Sequence, residues 1–420
     1  MKTNRYSGFY KLSPEERLDE VVEYCNFTEE EKQTILNGNS LSLDIADNMI
    51  ENVIGRFTLP LSVAMNFLIN GKEYLIPMVT EEASVVAAAS NAARLARETG
   101  GFFASNTGSI MIAQIQLIDV EDPNFAKMII LDNKEKIKKI CNDSDPYLAN
   151  HGGGFSDIEI RIIETIQGPM VIIHLIVDTL DAMGANAVNT MAETVAPFIE
   201  EITGGTVYLR ILSNLAIRRL ARSRVTISKE SLGGEEVVDK ILMAYAFAEA
   251  DPFRAATHNK GIMNGITPIV LATGNDTRAI ESGAHAYASI TGKYTSLTTW
   301  EKNSNGDLVG TIEVPMAVGL VGGATKIHPT AKLAVKMLGV TTANELAEVI
   351  ASVGLAQNFA AIRALATEGI QKGHMSLHAR NVASVAGARG ELLDKVVEAM
   401  INDGIVNVEY AKELVKKLEK

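Results

Sequence analysis

A lysine and an aspartate within residues 254–289 are the first candidates for chemistry. Lys260 lies in Asn-Lys-Gly and Asp276 in Gly-Asn-Asp, and the apolar run ITPIVLA (266–272) between them predicts a buried strand with charged loops at its ends. A lysine ammonium can stabilise a developing oxyanion, and a nearby aspartate would keep it charged. The plainer interpretation is a loop lysine and a helix-capping aspartate, and the spacing leaves both open.

A pair of acids, Glu81 and Glu82, opens a segment rich in small residues that predicts a helix over 81–99. Acids at a helix start complement its dipole, and on spacing alone this structural role is favoured. The functional alternative is a carboxyl group that burial keeps partly protonated, so that it acts as a general acid.

Two histidines, His374 and His378, lie four residues apart in GHMSLHAR and therefore share one face of a predicted helix. No HExxH motif accompanies them, so zinc is not indicated. Either histidine could pack or cap, and either could donate a proton near neutral pH. Spacing does not choose between them.

The segment Asp181–Asn186 (DAMGAN) links a predicted strand to a predicted helix. Gly184 lets a ligand approach the backbone, and a helix N-terminus favours an anion such as a pyrophosphate. A plain turn with a helix cap fits the spacing equally well. No GxGxxG follows a strand, so a dinucleotide would bind outside the Rossmann scheme.

The elements that must position these residues form two groups. Residues 109–212 predict the order β-α-β-β-α-β, the ferredoxin-like pattern. Their predicted strands and helices are 109–119, 123–140, 157–166, 170–178, 184–201 and 206–212. Helices dominate elsewhere, including 342–368 and a pair over 391–419. The sequence therefore predicts an α+β protein with more than one domain.

Length and composition limit the classes of protein to which this chain could belong. A chain of 420 residues exceeds the usual single core. The net charge of −12 argues against a nucleic-acid binder. Cys25 and Cys141 lie in no disulfide or zinc motif. We find no signal peptide and no apolar run near the roughly 18 residues that a membrane span needs, so we expect a cytoplasmic protein.

Seven motifs together resemble the class II, bacterial and archaeal type of 3-hydroxy-3-methylglutaryl-CoA (HMG-CoA) reductase. The resemblance extends from about Leu12 to Gly390. The motifs are ENVIG (51–55), EEASVVAAASN (81–91), DAMGANAVNTMAE (181–193), RAATHNKGIMNGI (254–266), ATGND (272–276), GLVGGATK (319–326) and GHMSLHARN (373–381). Each motif is weak alone, but their order and spacing are specific.

The resemblance implies a reductase that reduces HMG-CoA twice by hydride to mevalonate and CoA, or runs in reverse. It also implies a homodimer, with HMG-CoA and CoA as ligands, no metal, and active sites at the subunit interface. The implied domains are a large substrate domain around a buried helix (1–108 and 215–370), an inserted dinucleotide-binding domain (109–214) and a C-terminal helical flap (371–420).

The resemblance also assigns roles to individual residues. The implied catalytic residues are Glu82, Lys260, Asp276 and His374. The implied substrate-binding residues are Ser84, Arg254 and Asn264. The implied cofactor-binding residues are Asp145, Asp181, Met183, Gly184, Asn186 and Asn214. His378 falls outside the match and is expected to be structural.

Asp145 matches a position where an acid in some members meets the adenosine ribose. A carboxylate there accepts from a 2′-hydroxyl and repels a 2′-phosphate, which favours NAD over NADP. Lys138 and Lys139 nearby could serve a phosphate instead, so NADP remains open.

Two other classes compete with the reductase. A thioesterase or acyltransferase would need a nucleophile near His374, yet the chain has no GxSxG and no cysteine in a motif. An RNA-binding protein is disfavoured by the negative charge and the 5% aromatic content.

Overall fold

The computed structural model describes residues 3–38, 41–367 and 370–418, apart from the side chains of residues 370–377. The helices are α1 (Pro14–Cys25), α2 (Glu29–Leu36), α3 (Leu43–Met49), α4 (Val85–Ala96), α5 (Pro123–Asp132), α6 (Lys134–Ser144), α7 (Pro146–Asn150), α8 (Ala185–Thr203), α9 (Lys229–Leu232), α10 (Glu235–Ala250), α11 (Pro252–Ala272), α12 (Thr277–Tyr287), α13 (Gly323–Ile327), α14 (Pro329–Leu338), α15 (Ala343–Ala366), α16 (Ile370–Val385), α17 (Gly390–Asp403) and α18 (Val408–Leu418). The strands are β1 (Leu61–Ile69), β2 (Lys72–Val79), β3 (Phe102–Asn106), β4 (Ile110–Ile118), β5 (Gly154–Thr165), β6 (Gly168–Asp178), β7 (Thr206–Leu212), β8 (Leu220–Ile227), β9 (Thr298–Lys302) and β10 (Leu308–Pro315).

The predicted α+β fold and its ferredoxin-like unit are confirmed. A four-stranded sheet has the order β5-β6-β4-β7, and every neighbouring pair in it is antiparallel. This is the arrangement that a β-α-β-β-α-β chain adopts when each crossover leaves room for one strand between its ends. The predicted helix over 123–140 is two helices instead, α5 and α6, because Asn133 interrupts it. A third helix, α7, follows with Pro146 at its first position.

A second sheet of six strands, in the order β2-β1-β3-β8-β10-β9, lies outside this unit. Buried apolar side chains of both sheets belong to one contiguous core. Helices α16, α17 and α18 enclose a separate small core that includes Val396, Met400 and Ala411. The C-terminal helices thus have packing of their own.

The expectation of a strand at residues 266–272 was wrong, because these residues form the last third of α11. Asp251 caps α11 by accepting from the backbone N–H of Arg254, and Pro252 occupies its first position. The ITPIVLA segment is apolar throughout because this part of the helix is largely buried.

Two glycines let α11 cross α15 closely. A Cβ on Gly265 would lie 2.8 Å from the Gln357 Cβ and 2.8 Å from the Val353 carbonyl oxygen. A Cβ on Gly354 would lie 2.8 Å from Ile266. The helix that carries Lys260 therefore packs against α15 with the two backbones in close contact.

Helix α15 is a core helix of 24 residues. Its length and a window of mean hydropathy 1.4 satisfy the criteria for a membrane span, contrary to our expectation that no segment would. However, 67% of that window is buried inside the protein, as in the central helix of a globular domain.

Helix α4 begins later than predicted, at Val85, with Ser84 as its N-cap. Glu81 and Glu82 lie in the turn before it, and no acid occupies its first turn. The interpretation of these acids as part of the helix start was therefore wrong, and the turn leaves Glu82 available for another partner.

Candidate active site

Glu82 and Lys260, which lie 178 residues apart in the chain, meet in the structure. The Lys260 Nζ donates to the Glu82 Oε2 at 2.8 Å. The lysine side chain is 60% exposed and the glutamate side chain 39% exposed. An ion pair this exposed adds little to stability, and both side chains are accessible to a ligand.

The Glu82 side of this pair is held by an unusual backbone. Ser84 has φ 73° and ψ −17°, the left-handed region that non-glycine residues rarely adopt. Its hydroxyl donates to the Ala83 carbonyl at 2.5 Å. Six residues further, the Ser90 Oγ accepts from the Met65 N–H at 3.0 Å and ties α4 to β1. The turn therefore presents both Glu82 and Ser84 at the end of an anchored helix.

The Lys260 side is held by buried polar residues just before it. The Asn259 side chain donates to the Thr295 carbonyl at 2.8 Å and accepts from the Leu297 N–H at 3.0 Å. The His258 ring is 2% exposed and bonds to Thr298. Burial, aided by the positive charge of Arg254, lowers the pKa of His258 to about 3, so this ring is neutral. These bonds set the rotation of α11 and direct Lys260 outward.

Two further residues predicted to bind substrate lie on the same helix. Arg254 is in its first turn, half-buried, and burial lowers the pKa of its guanidinium. No described residue bonds that guanidinium. Asn264 lies one turn beyond Lys260 and is partly exposed. An accessible guanidinium without a protein partner suits a carboxylate ligand.

Asp276 is the N-cap of α12, which confirms the plainer of the two interpretations of this residue. Its Oδ1 accepts from the N–H groups of Arg278 at 2.9 Å and Ala279 at 3.1 Å. Burial raises its pKa, but these bonds and the Arg278 guanidinium outweigh burial and leave the pKa below its ordinary value. Asp276 is therefore an ionised carboxylate.

Within one chain, Asp276 does not join Glu82 and Lys260. A helix rises about 1.5 Å per residue, so the part of α11 from Lys260 to Ala272 spans about 18 Å. The chain then folds back only locally, where the Asn275 N–H bonds the Val270 carbonyl at 2.9 Å. Lys260 and Asp276 thus lie at opposite ends of one helix segment.

The predicted histidine lies in α16, but the side chain of His374 is outside the described residues. His378, on the same helix, is exposed. The structure therefore does not test the choice between them.

The DAMG turn has the geometry of a ligand cradle. Gly184, with φ 95°, is the N-cap of α8, and a Cβ there would lie 2.3 Å from the Thr179 Cγ2. Only glycine fits this turn. Met183 is partly exposed beside it, and Asn186 is exposed in the first turn of α8. Open N–H groups at this helix start suit a pyrophosphate.

The other predicted cofactor residues have structural partners as well. The Asp181 Oδ1 accepts from the Ala343 N–H at 2.7 Å, at the start of α15. Asp145 caps α7 by accepting from the Leu148 N–H at 3.0 Å. Asn214 is exposed after β7. Lys139, the alternative phosphate ligand, is paired with Asp143 at 2.8 Å.

The DAMG turn lies beside the Asp276 loop. The Asn275 Oδ1 accepts from the Gly319 N–H at 2.8 Å. A Cβ on Gly319 would lie 2.5 Å from the Met183 backbone nitrogen. One chain therefore carries two groups of predicted site residues, which we call half-sites: Glu82 with Lys260 at one end of α11, and the DAMG turn with Asp276 at the other.

Sequence reasoning missed Arg219, which joins the parts of the second half-site. It is one of four arginines within residues 218–224, and no sequence signal separates it from the other three. Only its burial distinguishes it, at 2% exposure. Within the described part of the chain, we find no cluster of side chains that could hold a metal ion.

Comparisons with known proteins agree with the family resemblance that the seven motifs indicate. Residues 13–379 match the family model described as Hydroxymethylglutaryl-coenzyme A reductase. A 3-hydroxy-3-methylglutaryl-coenzyme A reductase of Archaeoglobus fulgidus is 62% identical over 416 residues, which cover 99% of this chain and 95% of the relative. A probable reductase of Borreliella burgdorferi is 36% identical over 100% of this chain and 98% of the relative.

A solved structure is similar over nearly its whole length. The class II 3-hydroxy-3-methylglutaryl-CoA reductase of Streptococcus pneumoniae, bound to NADPH in open conformations, has a TM-score of 0.83 and 40% identity. The match covers 97% of this chain and 100% of that one.

Proposed function

The chain belongs to the hydroxymethylglutaryl-coenzyme A reductase family, of the class II type, and we propose that Glu82, Lys260, Asp276 and His374 are its catalytic residues. The protein is an oxidoreductase that reduces HMG-CoA by four electrons to mevalonate and CoA with two reduced nicotinamide cofactors, or runs the reverse. The bond between Lys260 and Glu82 is the observation that carries the assignment of roles. The thioesterase or acyltransferase alternative is not favoured by these relatives.

Each proposed role follows from the chemistry of the side chain and, for Glu82 and Lys260, from their contact as well. A nicotinamide held at the DAMG turn would supply the hydride that the thioester carbonyl accepts. Lys260 stabilises the oxyanion that forms there. When the hemithioacetal collapses, His374 protonates the departing CoA thiolate. The aldehyde then accepts a second hydride, with a proton from Glu82, which Lys260 contacts directly.

We assign the substrate carboxylate to Ser84 and Arg254, with Asn264 near the reacting group. The Arg254 guanidinium forms no hydrogen bond with a described residue, and Ser84 follows Glu82 by two residues. A carboxylate bound at Arg254 would place the far end of the hydroxymethylglutaryl group away from the lysine and leave the thioester toward it.

The two half-sites support a homodimer in which Asp276 acts in the partner's site. Neither a lysine nor an aspartate side chain extends more than about 7 Å from its Cα, so the two cannot bridge the roughly 18 Å between them in one chain. A two-fold dimer brings the same two surfaces together twice. Large apolar side chains such as Phe57 and Phe253, 90% and 86% exposed, would gain burial there. In that site Asp276 would couple Lys260 and Glu82 and set their protonation.

The DAMG turn, Asn186 and Asn214 are proposed to hold the dinucleotide, since the glycine cradle and the open start of α8 fit a pyrophosphate. For the finer choice we propose NAD, because the Asp145 carboxylate would repel a 2′-phosphate. The relative from Streptococcus pneumoniae was solved with NADPH, so the two cofactors must be compared directly.

We also propose the three-part division into residues 1–108 with 215–370, residues 109–214 and residues 371–420. The separate core of α16, α17 and α18 supports the third part as a flap that closes during chemistry and opens for CoA to leave. A cytoplasmic location is supported by the two free thiols, Cys25 and Cys141.

Initial-rate kinetics test the proposal. Purified protein should oxidise a reduced nicotinamide only when HMG-CoA is present, with two cofactor equivalents consumed per CoA released. NADH should give the higher kcat/KM. Lys260→Ala should abolish turnover while the protein stays folded. Lys240→Ala, which breaks an exposed pair with Glu236 instead, is the matched control and should keep full activity. Near-normal turnover in Lys260→Ala would contradict the catalytic role proposed for Lys260.

The histidines are tested by replacing each separately with glutamine. His374→Gln should lower the rate of CoA release about 100-fold or more, the usual loss when a general acid is removed. His378→Gln should have little effect. A larger loss at His378 would overturn the choice of His374.

A further inference from the structure

Arg219 is a buried cation that the proposed chemistry does not use. Its guanidinium donates to the Thr179 Oγ1 at 2.9 Å and to the carbonyls of Ala182 at 3.0 Å, Met183 at 3.2 Å and Val318 at 2.6 Å. Among the described residues, no carboxylate forms an ion pair with it. A charge buried this deeply is costly unless its bonds are well made, so the site must be built around it.

The charge of Arg219 is retained. Burial lowers its pKa to about 10, while the carboxylates of Asp178 and Asp181 raise it. The guanidinium therefore stays protonated at neutral pH and donates all of these bonds. Arginine suits this position because its planar fork directs several donors at fixed angles, which a lysine ammonium cannot reproduce.

The bonds of Arg219 join two segments that flank the cofactor cradle. Three of them hold residues 179–183, the turn that ends at Gly184. The fourth holds Val318, and the Arg219 carbonyl accepts from the Met316 N–H at 2.9 Å. The next residue along, Gly319, packs on Met183 and donates to Asn275, the neighbour of Asp276. Arg219 thus links the cradle to the loop of a proposed catalytic carboxylate.

We infer that Arg219 is a positioning residue for the nicotinamide cofactor, which it serves by pinning the 179–183 turn to the 316–319 segment. The inference rests on the proposed function of the DAMG turn as the dinucleotide site. Without these four bonds, the Met183 carbonyl loses its Arg219 donor and the Ala182 carbonyl keeps only the Thr179 hydroxyl. The turn is then joined to the segment that follows Val318 mainly through the Asp181 carbonyl, which accepts from the Leu320 N–H at 2.9 Å. The Glu82–Lys260 half-site, at the other end of α11, keeps its own supports.

Binding measurements on the intact enzyme test this, with NADPH and NADH titrated by nicotinamide fluorescence and HMG-CoA by calorimetry. Arg219→Met should raise the Kd of the dinucleotide about tenfold or more, since bonds to charged groups are among the stronger ones. The Kd of HMG-CoA should change less than about twofold. Arg219→Lys should restore part of the dinucleotide affinity. Arg224→Met, in β8 five residues beyond Arg219 but exposed, is the matched control and should change neither.

Thr179→Val tests the same turn, and valine has almost the same shape as threonine. This variant therefore replaces Arg219→Met in the test if Arg219→Met does not fold. It removes the hydroxyl that Arg219 bonds and should raise the dinucleotide Kd about threefold. An unchanged dinucleotide Kd in both Thr179→Val and Arg219→Lys overturns the inference, as does an equal loss of affinity for both ligands. A wild-type protein that binds neither dinucleotide would refute the proposed function itself.

Discussion

Ser84 shows how one residue can couple backbone strain to a binding site. Its left-handed conformation turns the chain between Glu82 and α4, at a cost of about 1–2 kcal/mol for a residue with a Cβ. Glycine adopts this conformation freely, whereas serine adds a hydroxyl close in sequence to Glu82, the carboxylate that we propose to be catalytic. The presence of serine here is consistent with selection for a substrate contact over stability.

A matched pair of variants separates these two effects. Ser84→Gly and Ser84→Ala both lack the hydroxyl, so both should raise the KM for HMG-CoA by a similar factor. They differ in the Cβ alone, so Ser84→Gly should be about 1 kcal/mol more stable than Ser84→Ala in urea unfolding. Equal stabilities would mean that the backbone conformation is not strained, and an unchanged KM in both would remove Ser84 from the substrate site.

His258 should make stability depend on pH. Its pKa is about 3 when folded and about 6.5 when unfolded, so the unfolded chain binds a proton that the folded chain does not. The stability that its neutral form contributes is complete above pH 6.5 and is lost as the pH falls toward 3. Between pH 7 and pH 5 the wild type should lose about 2 kcal/mol more than His258→Gln, as measured by urea unfolding at each pH. Parallel pH profiles would contradict this.

At the level of elements, the sequence predicted the ferredoxin-like unit well and α11 poorly, for a physical reason. The predicted strands at 157–166 and 170–178 alternate as a hairpin around a Gly-Pro turn, and such a pattern depends only on local geometry. The run at 266–272 is apolar on every side because α11 is packed on most of its faces, and periodicity cannot then separate strand from helix. The fit of Gly265 against α15 is a tertiary fact that no local pattern records.

The crossing of α11 and α15 gives a prediction with an internal control. Gly265→Ala adds a Cβ 2.8 Å from the Val353 carbonyl oxygen, so it should lower the free energy of unfolding by about 1–3 kcal/mol and reduce kcat by shifting Lys260. Gly261→Ala, four residues earlier on the same helix, meets nothing closer than 4.0 Å. It should raise stability by about 0.5–1 kcal/mol, since alanine favours a helix. Equal effects of the two substitutions would show that the crossing is not tight.

At the scale of the whole molecule, the candidate residues were predictable but their arrangement was not. Resemblance pointed to Glu82, Lys260 and Asp276, and the structure brings the first two together. The position of Asp276 relative to this pair depends on the length of α11. This segment is a helix where a strand had been expected, and it separates Lys260 from Asp276. Sequence spacing cannot show which residues of a dimer come from the same subunit.

Mixed dimers test whether Asp276 acts across the interface. Lys260→Ala and Asp276→Asn should each be inactive alone. When the two chains are unfolded together and refolded, half of the dimers contain one chain of each kind, and one of their two sites then has both residues intact. The mixture should regain about a quarter of wild-type activity. If both residues served the same subunit's site, every site would carry a defect and no activity would return.

The Glu82–Lys260 bond supplies the control, because these two residues meet within one chain. A mixture of Glu82→Gln and Lys260→Ala chains should stay inactive, since every site still lacks one member of the pair. Recovery in the first mixture but not in the second assigns Glu82 and Lys260 to one subunit and Asp276 to the other. Recovery in both mixtures would place the Glu82–Lys260 contact itself between subunits, and recovery in neither would return Asp276 to its own chain.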